Sequence, residues 1–199
     1  MSTIAIESGL RARDLLDLYR KGIFPMADSD GGIELHRPLR RAVFDLASIT
    51  PDPTTARQLR TGRYRFTADR CFEMVMRRCA DREETWIDER LITAYGELHG
   101  MGVAHSVEAW REGELVGGIY GVSVGAAFFG ESLFGVNNAG KAAFHALAAR
   151  LREGGYRLFD SQYINPFTRA LGAFEIDSAD FDRRLREALK HEARFPCDD

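Results

Sequence analysis

His105-Ser-Val-Glu-Ala-Trp110, Arg111-Glu-Gly-Glu114, Leu115-Val-Gly-Gly-Ile-Tyr-Gly-Val122: two alternating runs flank a short glycine-containing turn. Alternation with period two marks strands, and two such runs joined by a Gly loop predict an antiparallel hairpin. Just beyond it, residues 126–129 predict a third short strand and 138–152 a helix ending at Gly154-Gly155. Residues 156–159 then predict a buried strand emerging at Asp160. After Pro166 come a short helical piece to Leu171-Gly172, a strand over 173–176 and a helix over 178–190 capped by Asp177 or Ser178. Upstream, the spacing predicts helices over 69–80 and over 89–98, the second burying Leu91, Ala94, Tyr95 and Leu98. Residues 14–21 place Leu15, Leu18 and Tyr19 on one helical face, with Gly22 positioned to end it. Residues 28–32 read as a loop, and Pro51-Asp-Pro53 as a break before a helix opened by Pro53-Thr54. The order strand, strand, strand, helix, strand makes this an α+β chain with a small N-terminal lobe over 1–55 and a larger unit over 56–199.

The 199 residues, 45% hydrophobic and 29% charged, suffice for one core. The longest apolar stretch, 142–151, is broken by His145 and Arg150, and Glu7 stands where a leader would need an apolar run, so no membrane segment is expected. Cys71, Cys79 and Cys197 form no CxxC pair, and His36, His99, His105, His145 and His191 show no HxxxH or HxH spacing. Neither a disulfide framework, a metal site nor a cofactor is implied, and a reducing cytoplasm fits best. The net charge of −3 disfavours a general nucleic-acid coat. Arginines 57, 60, 63, 65, 70, 77 and 78 nonetheless form a local basic patch, with Arg37, Arg40 and Arg41 upstream; it reads either as a solvated helix face or as a phosphate-tracking surface.

Asp160 stands at a strand end with Gln162 two residues on, and a continuing strand would put both on one side. A carboxylate and an amide there suit acyl transfer to nitrogen, although Asp160 also reads as a capped strand end. Glu131 sits inside the aromatic run Phe128-Phe-Gly-Glu-Ser-Leu-Phe134, where a charge needs a partner or a raised pKa unless it points outward. Ile119, Phe128, Leu133, Leu147, Leu151 and Phe159 line an apolar pocket or simply fill a core. Gly135-Val-Asn-Asn-Ala-Gly-Lys-Ala142 nearly matches a phosphate loop but has Ala142 where magnesium needs a hydroxyl, leaving Lys141 as a point charge for an RNA phosphate.

Seven strings together resemble the leucyl/phenylalanyl-tRNA-protein transferase family: Tyr19-Arg-Lys-Gly-Ile-Phe-Pro-Met26, Thr85-Trp-Ile87, His105-Ser-Val-Glu-Ala-Trp110, Leu115-Val-Gly-Gly-Ile-Tyr-Gly121, Phe129-Gly-Glu-Ser-Leu-Phe134, Asp160-Ser-Gln162 and Leu171-Gly-Ala-Phe-Glu-Ile176. The resemblance implies an acyl-CoA N-acyltransferase-like fold for the C-terminal domain. It implies a monomer that moves Leu or Phe, with Met also acceptable, from aminoacyl-tRNA to proteins with N-terminal Arg or Lys, marking them for N-degron proteolysis. By the same resemblance Asp160 and Gln162 match the catalytic pair, with Glu131 the carboxylate that orders the site. Ile119, Phe128, Leu133, Phe159, Leu147 and Leu151 match the amino-acid pocket, and Met26 and Trp86 positions near the tRNA adenosine. Arg57, Arg60, Arg63 and Arg65 would hold the tRNA body. The chain departs from the family at Glu34-Leu-His-Arg-Pro38 and Asn165-Pro-Phe-Thr168.

An aminoacyl ester is already activated, so transfer needs placement of two substrates and management of one proton, with Asp160 expected to take it. The competing readings are an acyl-CoA-dependent N-acyltransferase and a catalytically silent tRNA-binding protein.

Overall fold

A computed structural model describes residues 10–28 and 30–198; Glu7 lies outside them. In chain order come α1 (Ala12–Arg20), β1 (Phe24–Ala27), β2 (Ile33–His36), β3 (Arg40–Phe44), α2 (Pro53–Arg60), β4 (Arg65–Ala68), α3 (Phe72–Ala80) and α4 (Glu89–Gly100). Then follow β5 (Ala104–Arg111), β6 (Glu114–Val124), β7 (Ala127–Gly135), α5 (Ala139–Glu153), β8 (Leu158–Asp160), α6 (Pro166–Ala170), β9 (Phe174–Asp177) and α7 (Ser178–Ala188). The expected α+β class is present as a seven-stranded mixed sheet in the order β4-β5-β6-β7-β8-β3-β9, beside a two-stranded β1-β2 hairpin.

The period-two pattern explains the layers. Phe44, Val107, Ile119, Phe128 and Phe159 face the core under α5, whereas Val43, Tyr120, Val122, Phe129 and Leu158 face α1, α3, α4 and α7. Helices thus cover both faces of the sheet, and each fully buried aromatic contributes about 1.5–3 kcal/mol. The β5–β6 hairpin closes tightly, since Glu112 and Gly113 both have positive φ (54° and 86°) and Arg111 pairs with Glu114. Side-chain caps set four helix starts: Asp52 accepts from the Thr54 and Thr55 N–H groups at α2, Asp88 from the Leu91 N–H at α4, Asn165 from the Thr168 N–H at α6, and Asp177 from the Asp180 N–H at α7. Each cap contributes about 1 kcal/mol.

Several elements differ from expectation. The loop expected over 28–32 is present, but it joins two unexpected strands, β1 and β2, that pair on either side of it. The arginine-rich stretch contains the edge strand β4, whose four residues are too few to show a period. Helix α3 begins at Phe72 rather than at Asp69, whose φ of 58° stops a helix there. β3 lies between β8 and β9, antiparallel to both.

The difference that matters most is in β7, which runs to Gly135 instead of stopping at Phe129. Its parallel pairing with β8 covers Ala127–Phe129 against Leu158–Asp160. Beyond that point β7 continues while β8 ends, so the sheet opens between them. The β6–β7 register also shifts: Tyr120 pairs with Ser132 but Gly121 with Gly130, leaving Glu131 as the extra residue of a bulge. Gly121 permits this close approach, as a Cβ on it would lie 2.2 Å from the Phe129 carbonyl oxygen. No helix among the described residues is long and apolar enough to cross a membrane.

Candidate active site

The opening between β7 and β8 holds a cavity of about 390 Å³. Its apolar wall is Phe44, Ile119, Leu133, Phe144, Phe159 and Leu171, and its polar wall includes Glu131, Ser132, Ser161 and Asn165. Arg82, Trp86 and Phe167 also line it. Apolar side chains converging beside a few polar groups are what a small-ligand site requires.

Glu131 projects from the bulge into this gap. Its Oε1 accepts 2.7 Å from Gln162 Nε2, and its Oε2 accepts 3.3 Å from the Tyr95 hydroxyl, which is itself bonded to Tyr19. Tyr19 and Tyr95 lie in the core, where burial pushes their pKa values well above 10 and keeps them protonated as donors. Loss of solvent pushes the Glu131 carboxyl up to about 8, against the pull of the Tyr19 hydroxyl; the charge of Asp160 adds to the rise, and Tyr95 and Arg41 oppose it. A carboxyl of this kind changes protonation near neutral pH, as a general base requires.

Gln162 reaches Glu131 by a backbone device. Its φ is 53°, in the left-handed region that a non-glycine residue adopts at a cost of about 1–3 kcal/mol. The turn is held because Ser161 N–H donates to the Ala42 carbonyl, Ala42 N–H to the Gln162 carbonyl, and Gln162 N–H to Asp160 Oδ1 at 3.2 Å. The Gln162 amide nitrogen is committed to Glu131, so its Oε1 is the end left to accept from a substrate amine.

Asp160 is buried behind this turn. Arg41 grips it through a fork, Nε to Oδ1 at 2.8 Å and Nη2 to Oδ2 at 2.6 Å, with 1% of Arg41 and none of Asp160 exposed. The third guanidinium nitrogen donates to the carbonyl of Gly22 at 2.9 Å, where a φ of 72° turns the chain out of α1. The Phe24 and Phe181 rings lie 4.8 and 4.4 Å from the guanidinium carbon. The expectation that Asp160 shares a side with Gln162 therefore fails, because β8 ends at Asp160 and the next turn sends the two side chains apart. Arg41 is no part of a surface patch either.

A family model described as leucyl/phenylalanyl-tRNA protein transferase matches residues 43–186. The leucyl/phenylalanyl-tRNA–protein transferase of Rubrobacter xylanophilus is 49% identical over 91% of this chain and 96% of its own length. That of Cereibacter sphaeroides is 46% identical over 94% of this chain and 88% of its own. The chain belongs to the leucyl/phenylalanyl-tRNA–protein transferase family.

For this member of the family, Ile119, Leu133 and Phe159 line the cavity beside Glu131. Phe128, Leu147 and Leu151 do not; they are buried in the core beneath α5, because their faces of β7 and α5 are covered. Phe44, Phe144 and Leu171 take their places, and only the fold brings them there from three separate elements. Trp86 lines the cavity, and its carbonyl accepts from Ala27 N–H at 3.0 Å, which sets half-buried Met26 on the neighbouring strand. Arg57, Arg60, Arg63 and Arg65 are exposed on α2, the following turn and β4. Four strand steps separate β4 from β8, roughly 19 Å. Lys141 faces Asp52 at 3.7 Å. Of the departing segments, Asn165, Phe167 and Thr168 line the cavity, and His36 stacks on Phe24 with its Nδ1 3.0 Å from the Tyr163 hydroxyl. Spacing gave no metal motif, yet the fold brings Asp69, His105 and Cys197 together, with His105 Nδ1 2.7 Å and Cys197 Sγ 3.3 Å from Asp69 Oδ2.

Proposed function

We propose that the β7–β8 opening is the reaction centre where this chain, as an aminoacyl-tRNA–protein transferase, moves Leu or Phe from aminoacyl-tRNA onto the α-amine of an acceptor protein. The observation that carries this reading is the Glu131–Gln162 bridge standing over an apolar cavity. The cavity takes the leucyl or phenylalanyl side chain, and a methylene there discriminates by only about 1–3 kcal/mol, so Met is accepted as well. The ester carbon then lies against the polar wall. Gln162 Oε1 accepts a hydrogen bond from the incoming neutral amine and orients it, while Glu131 takes the amine proton as the C–N bond forms and passes it to the ribose oxygen as the ester C–O bond breaks. Direct transfer follows, with no covalent enzyme intermediate.

Asp160 acts from behind as a positioning residue, because both its oxygens are engaged by Arg41 and one also by the Gln162 N–H. This reading passes proton transfer from Asp160 to Glu131 and keeps all three residues in the centre. Acceptors beginning with Arg or Lys, those of an N-degron pathway, bring a positive side chain that favours the ionised form of Glu131. Arg57, Arg60, Arg63 and Arg65 hold the tRNA body through phosphates, with Met26 and Trp86 near its terminal adenosine. A sheet that opens between parallel strands over its ligand supports an acyl-CoA N-acyltransferase-like description of residues 56–199. The lobe over 1–55 is then α1 with the β1–β2 hairpin, its last strand β3 stitched into the large sheet. We take the protein to act as a cytoplasmic monomer.

Transfer of radiolabelled leucine from Leu-tRNA to a peptide beginning with Arg tests the reading, with Glu131→Gln and a peptide beginning with Ala as comparisons. Label on the Arg peptide alone, lost in Glu131→Gln, is the expected result. Transfer that survives in Glu131→Gln removes Glu131 from the chemistry, and no transfer from any aminoacyl-tRNA removes the activity.

A further inference from the structure

Four residues spaced by four, Arg70, Met74, Arg78 and Arg82, lie along and just beyond α3, and all four are exposed. Inside the helix this spacing puts successive members one turn, about 6 Å, apart on the same face. None of the three arginines forms an ion pair among the described residues; Arg82 donates to Ser132 Oγ at 3.1 Å. Their neighbour Arg77, on the adjacent face, is held by both Glu73 (2.9 Å) and Glu89 (2.7 Å). The helix thus carries one neutralised arginine and a stripe with free charge.

Aromatic rings alternate with that charge. The Arg70 guanidinium lies 5.9 Å from the Trp110 ring centre and that of Arg78 5.0 Å from Phe134. Trp110 is fixed on edge by its indole N–H, which donates to Thr67 Oγ1 at 2.7 Å. It forms a wall between two open clefts, one of about 320 Å³ with Arg65 and Arg70, the other of about 580 Å³ with Met74, Arg78 and Val136. Glu112 and Glu114 stand on their rims. At the other end of the stripe, Arg82 and Trp86 line the reaction cavity. A continuous path therefore runs from the exposed β4 arginines to the cavity, offering a guanidinium and a flat ring at each stage.

Cations interleaved with aromatic faces suit single-stranded nucleic acid, whose phosphates meet the charge and whose unstacked bases meet the rings. We propose that the Arg70–Met74–Arg78–Arg82 stripe, with Trp110 and Phe134, is the track along which the single-stranded 3′ end of the aminoacyl-tRNA runs into the cavity. This rests on the transferase reading and deepens it. The duplex stays outside, on the α2–β4 arginines, and the tail descends along α3 to deliver the ester past Arg82 and Trp86.

The test is the binding of a fluorescently end-labelled single-stranded oligoribonucleotide with the sequence of a tRNA 3′ tail, followed by anisotropy across a salt series. The Arg70→Ala/Arg78→Ala double variant is expected to bind about tenfold more weakly, its salt slope falling by about 1.4, or 0.7 for each lost phosphate contact. Arg77→Ala, which removes the same charge from the paired neighbour, should bind like the native protein. Equal binding by the native protein and the double variant, or an equal loss in Arg77→Ala, overturns the track. Binding is read without turnover, so an inactive protein that still binds the tail through Arg70 and Arg78 would sink the transferase reading and leave the track standing.

Discussion

Asp160 and Glu131 are carboxylates on neighbouring strands, yet their surroundings make them opposites. Asp160 has a guanidinium fork on both oxygens, no contact with solvent and no face toward the cavity. Glu131 has two neutral donors, an amide and a phenol, and lines the cavity. Arg41 meets Asp160 with two directed bonds, whereas the neutral donors at Glu131 compensate its lost water only in part and leave its pKa raised to about 8. In the proposed mechanism this becomes a division of labour, in which the Arg41–Asp160 lock fixes the turn carrying Gln162 and Glu131 handles the proton.

The largest expected effect tests the lock. Arg41→Ala leaves the Asp160 charge buried without a partner and should cost about 3–5 kcal/mol in urea unfolding. Arg41→Lys, which keeps the charge but not the fork, should cost less while still lowering kcat. Stability unchanged in Arg41→Ala would break the comparison at its first half.

Next, Glu131→Gln should slow single-turnover transfer by about 10²-fold or more while the fold remains intact. A matched loss of stability would instead make Glu131 a second structural carboxylate and erase the contrast.

The pH dependence of stability sharpens the difference. With a folded pKa of about 8 against an ordinary carboxyl value of 4.5, Glu131 binds its proton more tightly in the folded chain. Its contribution is fully present below about pH 4.5 and is lost as pH rises through about 8. Unfolding free energy of the native protein should therefore fall relative to Glu131→Gln across that window and run parallel above it. Parallel curves throughout would mean that Glu131 is not desolvated.

The smallest effect concerns the phenol. Tyr95→Phe removes a donor that holds the Glu131 pKa down, so the midpoint in the same measurement should move upward, by less than about one unit. A downward shift would show that the phenol destabilises the carboxylate.

Much of this architecture was legible locally. The β5–β6 alternation, the two glycines after α5 and the Asp177 cap each carry their signal within a few residues. The Glu131 bulge carried none, since an extra residue in a ladder is defined by its partner strand and the aromatic run around it reads equally well in either register. β3 was hidden for a similar reason: Arg-Arg-Ala-Val-Phe looks like the edge of a basic patch until Asp160, 119 positions away, is placed beside Arg41. Glu131 could be singled out because a carboxylate among aromatics is costly wherever it sits. Phe44, Phe144 and Leu171 could not, because nothing separates a core residue from a cavity wall before the strands are seen to diverge.

The seat of β3 also sets a schedule. At about 5–20 residues per second, translation needs on the order of ten seconds to travel from Arg41 to Asp160 and then to β9. Until then β3 has neither neighbour, and the sheet waits with its sixth position empty. Such long-range pairing makes folding slow and leaves strand edges open to other chains. The transferase site is therefore complete only when the last strands made lock one of the first in place.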